Sequence, residues 1–132
     1  ERTWPIKSLQ DSQAQLAFGS DYPIVEINPL PGIYRAVTRE NDNGEPRDGW
    51  NPREKIQLAD ALRFYTVGSA YGVFAEEELG TLEKGKLADI TILDRNLFTV
   101  PVKEILQAKV KLTIMDGTIV YEHAQSEKLA IK

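Results

Sequence analysis

The architecture turns on Gly80-Thr81-Leu82-Glu83-Lys84-Gly85-Lys86-Leu87-Ala88-Asp89-Ile90-Thr91-Ile92-Leu93-Asp94. Its first half is glycine and charge; its second half, Leu87 to Leu93, is rich in β-branched residues and leucine and reads as a strand. The glycines and lysine suggest a phosphate-binding loop, but their spacing is wrong for one, and a strand follows where a helix would be needed. The glycines are better read as allowing tight turns.

Downstream, Val110 to Met115 is a second β-like run, and Asp116-Gly117 separates it from Thr118-Ile119-Val120-Tyr121. A two-residue Asp-Gly connection between alternating strands is a strong hairpin signal. Val102 to Ala108 is expected to form a short helical segment after Pro101, and Ala124 to Lys132 a polar tail.

Upstream, the chain reads as mainly helical. Ile6 and Leu9, three apart in a polar segment reaching Gln15, suggest a short amphipathic helix. Leu16-Ala17-Phe18, with Gly19-Ser20 turning the chain, reads as a short buried strand that leaves Asp21 at its C-terminal end, before Tyr22-Pro23. Leu30, Ile33, Tyr34 and Val37 recur at helical spacing between Pro29 and Arg39. Glu40 to Gly49 is a solvated loop. Asn51-Pro52-Arg53-Glu54 predicts a helix start, with Glu54 reaching back to the capping residue's amide. Leu58, Ala61, Leu62 and Tyr65 continue an apolar stripe toward Ala70 and Phe74, interrupted by Gly68 and Gly72, small residues suited to close packing.

A chain of 132 residues that is 42% apolar can bury one modest core, so a single compact unit is the default. A net charge of −4 without a basic block argues against nucleic acid as a partner. No stretch approaches the roughly 18 apolar residues of a membrane helix, so no membrane partner is expected; nothing in the composition decides the compartment, and a cytoplasmic location is taken as the default. The absence of cysteine excludes a disulfide framework, a thiolate zinc site and a cysteine nucleophile. Because the chain starts at Glu1 and its only methionine is Met115, a segment upstream is expected.

Few residues offer chemistry. His123 is the only histidine and stands just after the last strand, so it cannot build a multi-histidine metal site and reads as a surface residue. The serines lack a second histidine or a Gly-x-Ser-x-Gly elbow. Glu76-Glu77-Glu78 reads as a solvated helix end. Asp21 is the informative carboxylate: an aspartate at a strand end can bind metal or act as a general base when other ligands converge on it. Judged locally, an ordinary turn aspartate remains the leading reading.

Two stretches together change that balance. Phe18-Gly19-Ser20-Asp21-Tyr22-Pro23 and the Gly80–Asp94 segment resemble, in order and spacing, the C-terminal part of amidohydrolase-superfamily enzymes. Asn28-Pro29-Leu30, Ala36-Val37-Thr38-Arg39 and Gly49-Trp50-Asn51-Pro52 are similar to the branch that includes N-substituted formamide deformylase.

The resemblance implies an α+β fragment: the last strand and helices of a (β/α)8 barrel in residues 1–79, then part of a small β-sandwich domain in 80–123, then the tail in 124–132. It implies a longer metal-dependent hydrolase that cleaves a non-peptide C–N bond in a small-molecule substrate through a metal-activated water. Asp21 would be both catalytic general base and metal ligand. The divalent metal, with zinc first among the candidates, would be held mostly by ligands outside this chain, so none is expected bound to the chain alone, which should be inactive. Gln57, where relatives often carry a threonine or serine, is a poorer helix cap and leaves that boundary open.

Tyr22, Arg39 and Trp50 are candidates to line a pocket, although a structural role is the leading reading for each. Strand edges and apolar faces left without neighbours would favour self-association. The competing reading is a standalone, non-catalytic α+β binding or scaffold module that keeps the family's tail without its chemistry.

Overall fold

The computed structural model describes residues 3–123. The expected tail at 124–132 lies outside the described residues. The helices α1 (Ile6–Asp11), α2 (Pro29–Thr38), α3 (Leu58–Arg63) and α4 (Ser69–Gly72) precede a three-stranded antiparallel sheet, β1 (Ile90–Leu93), β2 (Val110–Met115) and β3 (Thr118–Glu122), in spatial order β1-β2-β3. The architecture is α+β, as the residue pattern predicts.

α2 forms where the apolar spacing places it. The Asn28 side chain accepts the Leu30 amide at 3.1 Å, prolines occupy the first turn, and Arg39 closes the helix in the left-handed region at φ 62°. Leu30, Ile33, Tyr34 and Ala36 bury its inner face against Ile56, Ala61, Leu97, Ile105 and Ala108. Each large aliphatic or aromatic side chain buried there contributes about 1.5–3 kcal/mol. Leu97, Ile105 and Ala108 come from the sheet half of the sequence, and Ile105 lies on a 3-10 helix over Val102–Gln107 that packs on α2. The core therefore spans both halves of the chain.

The helix predicted from Asn51 departs from expectation. Asn51 is left-handed at φ 49° and makes no side-chain cap; a single 3-10 turn, Pro52–Glu54, follows, and α3 begins only at Leu58, after Gln57, which also provides no side-chain cap. Glu54 does not reach back to Asn51. Its carboxylate is instead taken by α1, accepting the Ser8 amide at 2.9 Å and the Ser8 hydroxyl at 2.5 Å. A tertiary cap on the first turn of α1 thus replaces the expected local one.

α3 and α4 are joined by a π-helical stretch, Phe64–Gly68, and run as one rod. The wider turn makes the Phe64 carbonyl available, and it accepts both the Phe18 amide at 3.0 Å and the Ser69 hydroxyl at 3.0 Å. The apolar stripe stops earlier than the spacing suggests: α4 ends at Gly72, and Phe74, at φ 59°, is 91% exposed.

The strand predicted at Leu16-Ala17-Phe18 is not a regular strand. Among the described residues no strand lies beside it to complete a ladder, and its backbone bonds go to the helical rod instead, through Phe18 to Phe64 and from the Ser69 hydroxyl to the Phe18 carbonyl at 2.7 Å. The strand predicted from Leu87 is shortened to Ile90–Leu93, because the Leu87 amide bonds Glu78 O and the Asp89 amide bonds Leu87 O, which commits those residues to a turn.

The hairpin forms as read, with Asp116 and Gly117 at φ 47° and 74°, both positive as a type I′ turn requires. The Gly80–Asp94 stretch staples it down. Asp89 Oδ1 accepts the Asp116 amide at 2.8 Å, and Ala88 O accepts the Gly117 amide at 3.1 Å. Lys86 Nζ donates to Glu76 O at 2.6 Å, tying the sheet's approach to the end of the helical half.

At the far end of β1, Asp94 brackets the sheet, accepting from Arg95 Nε at 3.0 Å and from the Lys109 amide at 3.0 Å. The Arg95 hydrogen bonds, then the Lys109 amide, hold the Asp94 carboxyl down at about 2. The Ser8 hydroxyl and amide likewise lower that of Glu54. Carboxylates whose folded pKa lies below the unfolded value stabilise fully above the unfolded value and lose that contribution as pH falls through the folded one. Urea midpoints should therefore hold roughly constant from neutral pH to about pH 5 and decline as pH falls toward 2. Asp94→Asn should flatten the lowest part of that decline; an unchanged profile in the variant would remove Asp94 from the account.

Candidate functional site

The Phe18–Asp21 segment reaches its position through packing from behind. The Phe18 ring meets Phe64 and Tyr65 edge-on, with centroids 5.2 and 5.4 Å away. Gly68 lets the rod approach so closely that a Cβ there would sit 2.1 Å from Leu16 O. The chain then turns out to solvent. Asp21 is exposed, at φ 51°, and its carbonyl accepts the Ile24 amide at 2.9 Å. Its carboxylate takes part in no hydrogen bond or ion pair among the described residues, so the side chain is free for an external partner. Tyr22, Ile24 and Ile27 continue an exposed loop into α2.

Asp21 stands alone as a ligand. Among the described residues no three histidine, cysteine, aspartate or glutamate side chains converge on a point that could hold a metal ion. One carboxylate does not make a divalent-cation site, so the donors among the described residues do not by themselves fit a resident metal. His123, expected at the surface, is half-buried, with its amide bonded to Lys111 O at 2.9 Å. Glu76 is half-buried, with Glu77 and Glu78 exposed beside it.

Two of the three candidate pocket residues come together and the third does not. Arg39 and Trp50 line a cleft of about 590 Å³ with Trp4, Phe18 and Tyr65, whereas Tyr22 lies in the exposed loop. The Arg39 guanidinium stacks on the Trp50 ring, 5.1 Å from its centroid, and donates to Trp50 O at 3.1 Å and Trp4 O at 3.3 Å. Its remaining nitrogen, Nη2, is closed to solvent and has no acceptor among the described residues. An unsatisfied buried donor costs about 1–3 kcal/mol. Sequence reasoning missed Trp4 and Tyr65 as members of this cleft. No local signal marks them, since they belong to distant segments.

A second cavity of about 700 Å³ lies between the helical half and the sheet, bordered by Leu62, Tyr65, Ala70, Leu79, Ile90 and Leu93. Its lining is mostly apolar, with Asn28, Ser69 and Asp89 among its polar residues and no converging set of titratable groups. No helix among the described residues is long and apolar enough to cross a membrane.

The order of elements and the shape of the chain match solved amidohydrolases. An amidohydrolase from Thermotoga maritima superposes with a TM-score of 0.67 at 21% identity, covering 91% of this chain and 26% of that one. The sequence agrees: residues 2–121 match the amidohydrolase family, and this chain belongs to it. It is 36% identical to Protein LONG AFTER FAR-RED 3 of Arabidopsis thaliana over 92% of this chain and 20% of that protein. It is 30% identical to N-substituted formamide deformylase of Arthrobacter pascens over 95% of this chain and 22% of the enzyme. The chain thus spans about a fifth of the length of the curated relatives it matches.

Proposed function

We propose that this chain is the C-terminal portion of a longer hydrolase that cleaves a non-peptide C–N bond in a small molecule, and that Asp21 is the catalytic group it contributes. The observation carrying this is Asp21 itself: a solvent-facing carboxylate with no structural partner among the described residues, three residues beyond a segment fixed from behind by Phe64, Gly68 and Ser69. A carboxylate just beyond an anchored segment and used for nothing internal is suited to act on an external group. In the longer protein the Leu16–Phe18 segment serves as the closing strand of a (β/α)8 barrel, whose strand ends carry the chemistry, and the β1–β3 sheet belongs to a small β-sandwich.

A divalent metal, which would take most of its ligands from outside this chain, would polarise the scissile carbonyl and acidify water when bound. Asp21 removes the proton from the attacking water and delivers it to the departing nitrogen, so that a poor amide leaving group departs as a neutral amine. Alone, the 132-residue chain lacks the remaining ligands and is inactive.

The test is the full-length protein assayed on N-substituted formamides and small cyclic amides before and after chelation. Turnover that disappears with the metal and returns on adding zinc is the expected result. Amide hydrolysis that persists in the fully metal-depleted protein would overturn the reading.

The second reading, a non-catalytic binding module, is favoured only by the lone carboxylate. It predicts no turnover from any form of the protein.

A further inference from the structure

We propose that the Trp4–Phe18–Trp50–Tyr65 cleft is a binding site for a carboxylate carried on an apolar, ring-sized body. The walls supply the apolar half of the recognition: four aromatic side chains line an open cleft of about 590 Å³, within the range of small-molecule pockets. Arg39 supplies the charged half. Two neutral carbonyls and a stacked indole fix its guanidinium in place, yet it has no ion-pair partner among the described residues. Arg35, the other cation of the lining, is already engaged by Asp42 at 2.8 Å.

The carboxylates bordering the cleft do not fill this role. Glu40 accepts the Tyr34 hydroxyl at 2.9 Å, and Glu45 lies exposed in the loop, where solvent screens it. Glu54, near enough to Arg39 for its charge to be felt, is committed to Ser8.

A second donor stands in the same cleft. The Tyr65 hydroxyl lies against Gly32, so close that a Cβ there would be 2.2 Å from it, and no acceptor among the described residues takes its proton. Burial pushes the Tyr65 pKa up and keeps that proton in place. One charged donor and one neutral donor with no competing acceptor select an anion over a cation, and a planar carboxylate matches a guanidinium edge. Nη2 is closed to solvent in this arrangement, so a ligand reaches it only where the surrounding surface side chains, the 44% exposed Trp50 among them, give way.

The carboxylate can belong to a free organic acid or to a side chain elsewhere in a longer parent. Both have the same chemistry, and the experiment separates them. Trp4 and Trp50 are the only tryptophans of the chain and both line the cleft, so their fluorescence reports on it directly. The 132-residue chain is titrated with sodium phenylacetate and with neutral phenylacetamide at constant ionic strength.

The expected result is a saturable emission change with phenylacetate and binding on the order of ten-fold weaker, or worse, for the amide. Tyr65→Phe, which removes only the hydroxyl, should weaken phenylacetate several-fold, and Arg39→Gln should abolish its preference over the amide. Should Arg39→Gln fail to fold by circular dichroism, Tyr65→Phe and the acid–amide comparison decide. No saturable change, equal affinity for acid and amide, or a Tyr65→Phe chain that binds like the original would overturn the proposal. Binding to the 132-residue chain but not to the full-length protein supports the same carboxylate site and assigns its occupant to a side chain of the parent.

Discussion

Asp21→Asn in the full-length parent is expected to lower kcat by about 100- to 10,000-fold, the range attached to loss of a positioned general base. The substitution preserves volume and leaves the backbone a residue that tolerates the left-handed conformation seen at φ 51°. The Asp21 carboxylate holds nothing together, since among the described residues the one hydrogen bond of Asp21 is that which its carbonyl accepts from the Ile24 amide. Stability should therefore be unchanged while turnover collapses, and the urea midpoint of the variant is the control. KM should move little if the carboxylate acts in the proton transfers rather than in holding substrate. Near-normal kcat in a well-folded variant would return Asp21 to the role of a turn residue.

Gly68→Ala is expected to destabilise the chain by about 2–3 kcal/mol, the upper part of the range for overpacking. A Cβ there would meet Leu16 O at 2.1 Å and Leu16 C at 3.2 Å, and backbone cannot swing aside as a side chain can. The gain of about 1 kcal/mol in helix propensity offsets only part of this.

Gly72→Ala, four residues on in the same rod, is the internal control. Its Cβ would meet only the Ala17 methyl at 3.2 Å, which a few tenths of an ångström relieves. That variant should be neutral or slightly stabilised. Urea denaturation of the two side by side checks the contrast. Equal effects at the two sites would mean the rod does not press on the Leu16–Phe18 segment as closely as described. Gly68→Ala should also perturb Asp21 in the parent, because the strut behind it would be displaced.

The two glycines show where sequence reading stops. Both interrupt an apolar stripe and both suggest close packing, but only the position of Leu16, some fifty residues away, distinguishes them. Glu54 gives the same lesson: the Asn51-Pro52-Arg53-Glu54 pattern satisfies a local capping rule, yet the carboxylate goes to Ser8, which presents an amide and a hydroxyl together. Local patterns list the bonds a side chain can make. Competition among distant partners decides which bond forms.

The lone carboxylate at the candidate site was legible because the neighbouring Gly19-Ser20 and Tyr22-Pro23 mark a turn after an apolar run, and because one histidine and no cysteine leave few other donors. Its freedom from structural bonds was not, since that is a statement about everything around it. The cleft was legible only in part. Arg39 and Trp50 stand out as pocket candidates, whereas Trp4 and Tyr65 join them through packing alone.

The sequence by itself determined the α+β order of elements, α2, the Asp-Gly hairpin and the family, because each rests on near-neighbour chemistry: apolar spacing, a two-residue turn with positive φ, short motifs in a fixed order. Tertiary structure decided that the Leu16–Phe18 segment is bonded to a π-helical turn instead of a strand, and that the Gly80–Asp94 stretch anchors the hairpin through Lys86, Ala88 and Asp89. It also left Arg39 with an unanswered donor. These are long-range pairings, chosen by which buried polar groups can be satisfied together once the chain has closed on its core, and no local window of sequence contains that information.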